Sequence, residues 1–197
     1  MNGPRWRPDP DQPGFLNLGC GEFRAPDPWW NIDLEVRNEN ALPDELVTRD
    51  KSLVDLFGLH SCQRIYMGHL LEHVPWNLLM EFLDDVKDVL IPGGYIAVVG
   101  PDVLRMIQGW HVGKEPWDIV LSGLEDDLAQ FDLTSGGYDG ARHQWNAYEA
   151  RVVRVLEAAS FVEVRAIEPP FQEIVNSQWP IVGCADWQCA VTARTAY

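Results

Sequence analysis

Leu16-Asn17-Leu18-Gly19-Cys20-Gly21, with Asp33 at the end of the next apolar run, is the stretch on which the reading of this chain turns. Phe15 to Leu18 suits a buried strand that breaks at Gly19. Two glycines one residue apart let the backbone turn tightly and approach a ligand with no Cβ in the way. Trp29 to Leu34 reads as a second strand carrying Asp33 at its C-terminal end. In a parallel sheet an acid at that place can accept both hydroxyls of a ribose. The pattern is that of a nucleotide-type cofactor site. The structural alternative is a plain glycine turn between two strands.

The details narrow the cofactor. Nicotinamide and flavin binders want a third glycine and a helix N-terminus for the pyrophosphate. Here the position three after Gly21 is Arg24, and Pro26 and Pro28 leave no room for a full helix. Asp33 follows Gly21 by 12 residues, against about 20 in the dinucleotide fingerprint. A cofactor without phosphate needs neither missing part, which points to S-adenosylmethionine.

Composition sets the outer bounds. The 197 residues suit one domain with a full core. A formal charge of −15 repels phosphate backbones and anionic lipid surfaces, so neither double-stranded nucleic acid nor a membrane is an expected partner. The four cysteines, Cys20, Cys62, Cys184 and Cys189, form no Cys-x-x-Cys pair, which argues against a zinc ribbon. Cys184 and Cys189 are expected to share a strand. No basic-then-apolar signal opens the chain and no apolar run approaches the length of a membrane span. A cytoplasmic protein with free thiols is expected.

Residues 1–14 carry four prolines and no apolar periodicity, and read as an extended arm before a domain over 15–197. A third strand is expected around Leu46 to Thr48 and a fourth over Arg64 to Gly68. Trp76 to Leu90 has helical spacing and is expected to stop at Pro92-Gly93-Gly94. Tyr95 to Val99 suits a central strand, and Asp102 opens a helix to about Trp110. A further helix is expected over 117–131, then an irregular loop. Tyr148 to Ala159 is helical. Phe161 to Ile167 and Ala185 to Ala193 alternate as strands do. Strands alternating with helices give a parallel α/β sheet, and two successive strands at the end suggest an antiparallel edge.

The residues resemble the class I S-adenosylmethionine-dependent methyltransferases, in a compact branch where a short loop replaces the first helix. LNLGCG at 16–21, NIDL at 31–34, GHLLEHVP at 68–75, VLIPGGYIAVVGPD at 89–102 and HQWNAYEARVVRVLEAASF at 143–161 carry the likeness. It implies a Rossmann-like, mostly parallel sheet of seven strands with the last antiparallel, and helices on both faces. It implies that Gly19, Cys20 and Gly21 pass under the methionine part of the cofactor, with Asn17 where many members have an acid. Asp33 and Leu34 would lie at the ribose, Asp50 at the adenine amine, and Gly68 and His69 beside the transferable methyl. S-adenosylhomocysteine would be the product. Residues 103–147 would form an acceptor-side insertion.

His69-Leu70-Leu71-Glu72-His73 has a rival meaning. His-x-x-Glu-His is the inverted-zincin pattern, two histidines one helical turn apart on zinc with the glutamate as base. Against it, His69 follows a strand directly and Pro75 comes soon after His73. In the methyltransferase reading no metal is expected, and Glu72 and His73 fix the start of the next helix and pack against the sheet. His69 then orients the acceptor or takes its proton. A hydroxyl acceptor wants such a base, and histidine is the usual one. His143, in a glycine-containing loop, is the second candidate. Asp102 either contacts the acceptor or caps its helix, with capping preferred. Trp76 and Trp145 are expected as acceptor walls, suited to a sugar ring or flat apolar group, with core filling as the alternative. The sum is O-methylation of a small-molecule or glycan-like acceptor. The alternatives are a non-catalytic relative that binds cofactor or partner, and, more distantly, a zinc hydrolase.

Overall fold

The computed structural model describes residues 13–20, 24–33, 45–46, 52–111, 145, 147–169, 171, 179 and 187–197. Leu16 and Leu18 point to one side of β1 (Gly14–Leu18) and Phe15 and Asn17 to the other. Both sides are covered, so the strand is interior. It pairs in parallel with β2 (Trp29–Asp33) on one flank and β4 (Cys62–Gly68) on the other. β3 (Glu45–Leu46) extends the sheet beyond β2, and β5 (Leu90–Pro101) extends it beyond β4. β7 (Gln188–Arg194) runs antiparallel between β5 and β6 (Val162–Ala166). The result is one seven-stranded sheet of order β3-β2-β1-β4-β5-β7-β6. The last strand is antiparallel, as expected, but it lies one place in from the edge, which belongs to β6.

Among the described residues three helices cover one face. α1 (Leu53–Phe57) and α2 (Leu79–Val89) pack there, and so does the helix Glu149–Ala158, called α4 below. Leu79, Leu83 and Val86 recur at helical spacing and are fully buried against Ile65, Met67, Ile96 and Val98. Each such side chain contributes about 1.5–3 kcal/mol on burial. α1 was not anticipated. It is held by a capping box between Ser52 and Asp55, and by Asp85 of α2, which accepts from the Leu53 and Val54 amides.

Among the described residues the opposite face is closed by aromatic side chains rather than by a helix after β1. Phe15, Trp29 and Tyr66 from the strands meet Phe171 and Trp179 from the connection between β6 and β7. Trp29 stacks with Phe15 at 5.3 Å and with Trp179 at 5.6 Å. The Arg64 guanidinium lies over both Phe15 and Trp179. The helix expected over 117–131 falls outside the described residues, as does Cys184.

Both boundaries of α2 differ from expectation, and it begins at Leu79 rather than Trp76. Helix α2 ends at Val89, and β5 begins at once with Leu90 rather than after Pro92-Gly93-Gly94. Leu90 pairs with Cys62 and Tyr95 with Arg64, so residues 91–94 bulge out opposite Gln63. Gly93 takes a φ of +74° at this bulge. The helix α3 (Val103–His111) follows β5. No helix among the described residues is long and apolar enough to cross a membrane.

Candidate functional site

The chain builds β1, β2 and β3 in one direction, then returns to add β4 and β5 on the other side of β1. The order therefore reverses between β1 and β4, and in open α/β sheets ligands sit at the C-terminal strand ends beside such a point. Leu18 pairs with Ile32 and with Met67. The next residues, Asp33, Gly19 and Gly68, thus form one row across three strand ends. The row continues through Val99, opposite Gly68, to Ala190 on β7.

Gly19 has a φ of +68°, and a Cβ there would lie 2.8 Å from Leu70 Cδ1. Both facts require glycine at this place. A Cβ on Gly68 would lie 2.7 Å from the ring of Tyr66, so the absent side chain admits that ring. Asp33 ends β2 half-buried. Asn17 is buried and donates from Nδ2 to Asn31 Oδ1 at 2.9 Å. Asn31 in turn holds Ala25, accepting from its amide at 2.7 Å and donating to its carbonyl at 3.1 Å. This pair pins the short connection between β1 and β2. Cys20 is buried, and its amide continues the ladder to Ile32 O at 3.1 Å. Gly21, Leu34, Asp50 and His143 lie outside the described residues.

His69 follows β4 with a φ of +52°, a conformation that is strained for a residue with a Cβ. Its amide still bonds Val99 O at 2.7 Å, so the turn is anchored to β5. The ring Nδ1 lies 3.3 Å from Glu72 Oε1. The ring Nε2 contacts the side-chain amide of Gln188, and Trp187 meets the ring edge-on at 5.9 Å. Burial alone pushes the Glu72 carboxyl up. Contact with His69 and the charges of His69 and His73 outweigh it, and the carboxyl sits below its ordinary range. Residues 71–73 form one 3-10 turn, so His69 and His73 do not share an α-helical face as the zincin pattern requires. Glu72 does not start the next helix either; α2 is preceded by Leu78 with no side-chain cap.

Asp102 is buried and accepts from the amides of Leu104, Arg105 and Glu149, each at 3.0 Å. It caps α3 and also ties in the first residue of α4. Its oxygens are taken up in this way, which removes the argument for an acceptor contact. Trp145 was expected as a wall, but only 5% of it is exposed. Its Nε1 donates to Leu71 O at 3.1 Å, so it braces the turn below His69 from within the core. Trp76 is half exposed and meets Trp145 edge-on at 5.6 Å, with the Arg151 guanidinium 4.6 Å above its ring. Sequence reading missed Gln188, Trp187 and Leu70 as site residues. Nothing local marks them, since Gln188 reaches His69 across 119 residues of chain.

No family model and no curated protein matches the chain at the level of sequence. Solved structures do match in three dimensions. A methyltransferase dependent on S-adenosylmethionine (SAM) from Archaeoglobus fulgidus aligns with a TM-score of 0.53 at 12% identity, over 93% of this chain and 86% of that one. Another from Methanosarcina mazei gives 0.53 at 16% identity, over 93% and 92%. A Thermotoga maritima SAM-dependent methyltransferase, described as a possible histamine N-methyltransferase, gives 0.56 at 12%, over 92% and 82%. The fold is that of the class I SAM-dependent methyltransferases. At these identities the likeness speaks for the methyltransferase fold. The glycine turn and Asp33 stand at the strand ends that this fold offers to a ligand.

The row offers a glycine turn and a carboxylate to a nucleoside-type cofactor. Asp33 supplies the carboxylate one strand away from the Gly19 turn, where Leu70 fills the space that a Cβ would take. Two prolines flank Asp27 in the short connection that follows, and the Asp27–Pro28 bond is cis.

Proposed function

We propose that the protein is a SAM-dependent methyltransferase acting on a small-molecule or glycan-like hydroxyl. The observation that supports this most strongly is the single row of Asp33, Gly19 and Gly68, with His69 next in the chain, at the reversal of strand order. Asp33 would hold the ribose, and the Gly19 turn would pass under the methionine part. When bound, the cofactor supplies a methyl carbon on a sulfonium, open to in-line displacement, and leaves as S-adenosylhomocysteine. Alignment alone can be worth about 7–11 kcal/mol in such a reaction. His69 takes the proton of the acceptor hydroxyl as its oxygen becomes bonded to carbon. Trp76 with Arg151 offers an exposed aromatic face on the same side of α4 as Trp145, suited to a sugar ring. The net charge of −15 disfavours nucleic acid as acceptor.

Incubation with methyl-labelled SAM and a panel of hydroxyl-bearing acceptors tests the proposal. Label should move to oxygen, and His69→Ala should lose turnover while still binding cofactor. Transfer to nitrogen or carbon at equal rates in wild type and His69→Ala would remove the base from the reading. Cofactor binding with no transfer to any acceptor would favour a binding protein instead.

A further inference from the structure

We propose that Glu72 is a positioning residue for His69, holding its imidazole in the Nδ1–H tautomer so that Nε2 keeps its lone pair for the acceptor. The inference rests on the reading of His69 as base and deepens it. Glu72 is 1% exposed. A carboxylate taken so fully from water is costly unless paired. Its Oε1 makes no hydrogen bond of good geometry, yet faces His69 Nδ1 at 3.3 Å. On the other side, Gly100 of β5 leaves room for the carboxylate: a Cβ there would stand 3.3 Å from Oε2. The other titratable groups around the carboxyl are His73 on the same turn and Cys189 on β7, whose thiol Glu72 helps to push up.

The backbone directs the ring onto this carboxylate. The left-handed conformation of His69 reverses the chain at the strand end and brings residue 72 back against the imidazole. Trp145 holds the same turn from below through Leu71 O. The Gln188 amide nitrogen contacts Nε2. With that nitrogen turned to the ring the amide would donate to Nε2, and the ring proton would then sit on Nδ1, the nitrogen 3.3 Å from Glu72 Oε1. Gln188 then occupies the position that an acceptor hydroxyl would take. When Nε2 receives the acceptor proton, both ring nitrogens are protonated and the buried carboxylate faces the resulting positive charge. The proton passes later to solvent.

Nitrogen-15 spectra of the His69 side chain, recorded with the ring neutral, test this without an acceptor in hand. Wild type should show the Nδ1–H tautomer. Glu72→Met, which keeps an unbranched side chain but removes the acceptor, should shift the tautomer ratio toward Nε2–H by about tenfold or more, the effect of one hydrogen bond to a charged group. An Nε2–H ring in wild type would overturn the proposal, a result that does not depend on whether the variant folds. An unchanged Nδ1–H ring in folded Glu72→Met would overturn it too. SAM titration of the wild type runs in parallel: absence of binding there counts against the proposed function, while the tautomer result decides the role of Glu72 separately.

Discussion

Gly19 and Asp33 divide the labour at the residue scale. A left-handed conformation costs a residue with a Cβ about 1–2 kcal/mol, and at Gly19 that Cβ would also meet Leu70. Gly19→Ala is therefore expected to lower unfolding free energy by about 1–3 kcal/mol, read by urea titration. Leu70→Ala in the same chain should recover part of the loss but not all, because Leu70 Cβ itself stands 2.9 Å from the added methyl. Asp33→Ala should weaken SAM binding about tenfold to a hundredfold, the worth of hydrogen bonds to a charged group. Equal affinity in calorimetry would remove Asp33 from the site. Glu72 gives a prediction in pH. Its folded carboxyl lies below the ordinary 4.5, so its stabilising contribution is present above about pH 4.5 and is lost as pH falls through the folded value. The stability difference between wild type and Glu72→Gln should shrink across that window. A difference that is flat with pH would contradict the assigned shift.

Asp102 acts at the scale of elements. Its carboxylate caps α3 and also takes the Glu149 amide at the start of α4, so two helices depend on one side chain. Asp102→Ala should destabilise by about 2 kcal/mol or more, since a single cap is worth about 1 and a further amide loses its partner. Asp102→Asn should lose less, and the comparison by thermal denaturation separates capping from bulk. This cap was legible, because an aspartate directly ahead of an apolar helical run is a strong local signal. So were β1, β2, β4 and α2, whose apolar spacing is dictated by burial on one or both faces. Pro92-Gly93-Gly94 was not. The same three residues end a helix or bulge a strand, and the difference is set by pairing with Cys62 and Arg64 on β4. Trp145 was equally ambiguous, since a large aromatic ring suits a pocket wall and a core alike. The contact of His69 with Gln188 joins the end of β4 to the start of β7 across β5 and has no local signature.

At the scale of the molecule, the reversal of strand order places a glycine turn, an acid and a strained histidine at the C-terminal ends of interior strands. The sheet also buries its thiols. Burial pushes Cys62 up to about 12 against a smaller opposing contact from Ser61, and burial with the charges of Asp102 and Glu72 does the same for Cys189. Neither should react with a thiol reagent at pH 8 except at the rate of unfolding; rapid labelling of either in the native state would show that the sheet opens locally. The cofactor assignment carries the rest of the functional reading, and ligand-induced stabilisation tests it most directly. Thermal unfolding is followed with SAM, S-adenosylhomocysteine and NAD in parallel, on wild type and Asp33→Ala. A ligand at a hundredfold excess over its dissociation constant adds about 2.7 kcal/mol to the native state. Wild type should be stabilised by SAM and S-adenosylhomocysteine and not by NAD, and Asp33→Ala should lose most of that gain. Stabilisation by NAD, or no saturable response to either sulfur compound, would contradict a phosphate-free cofactor at the Gly19 turn.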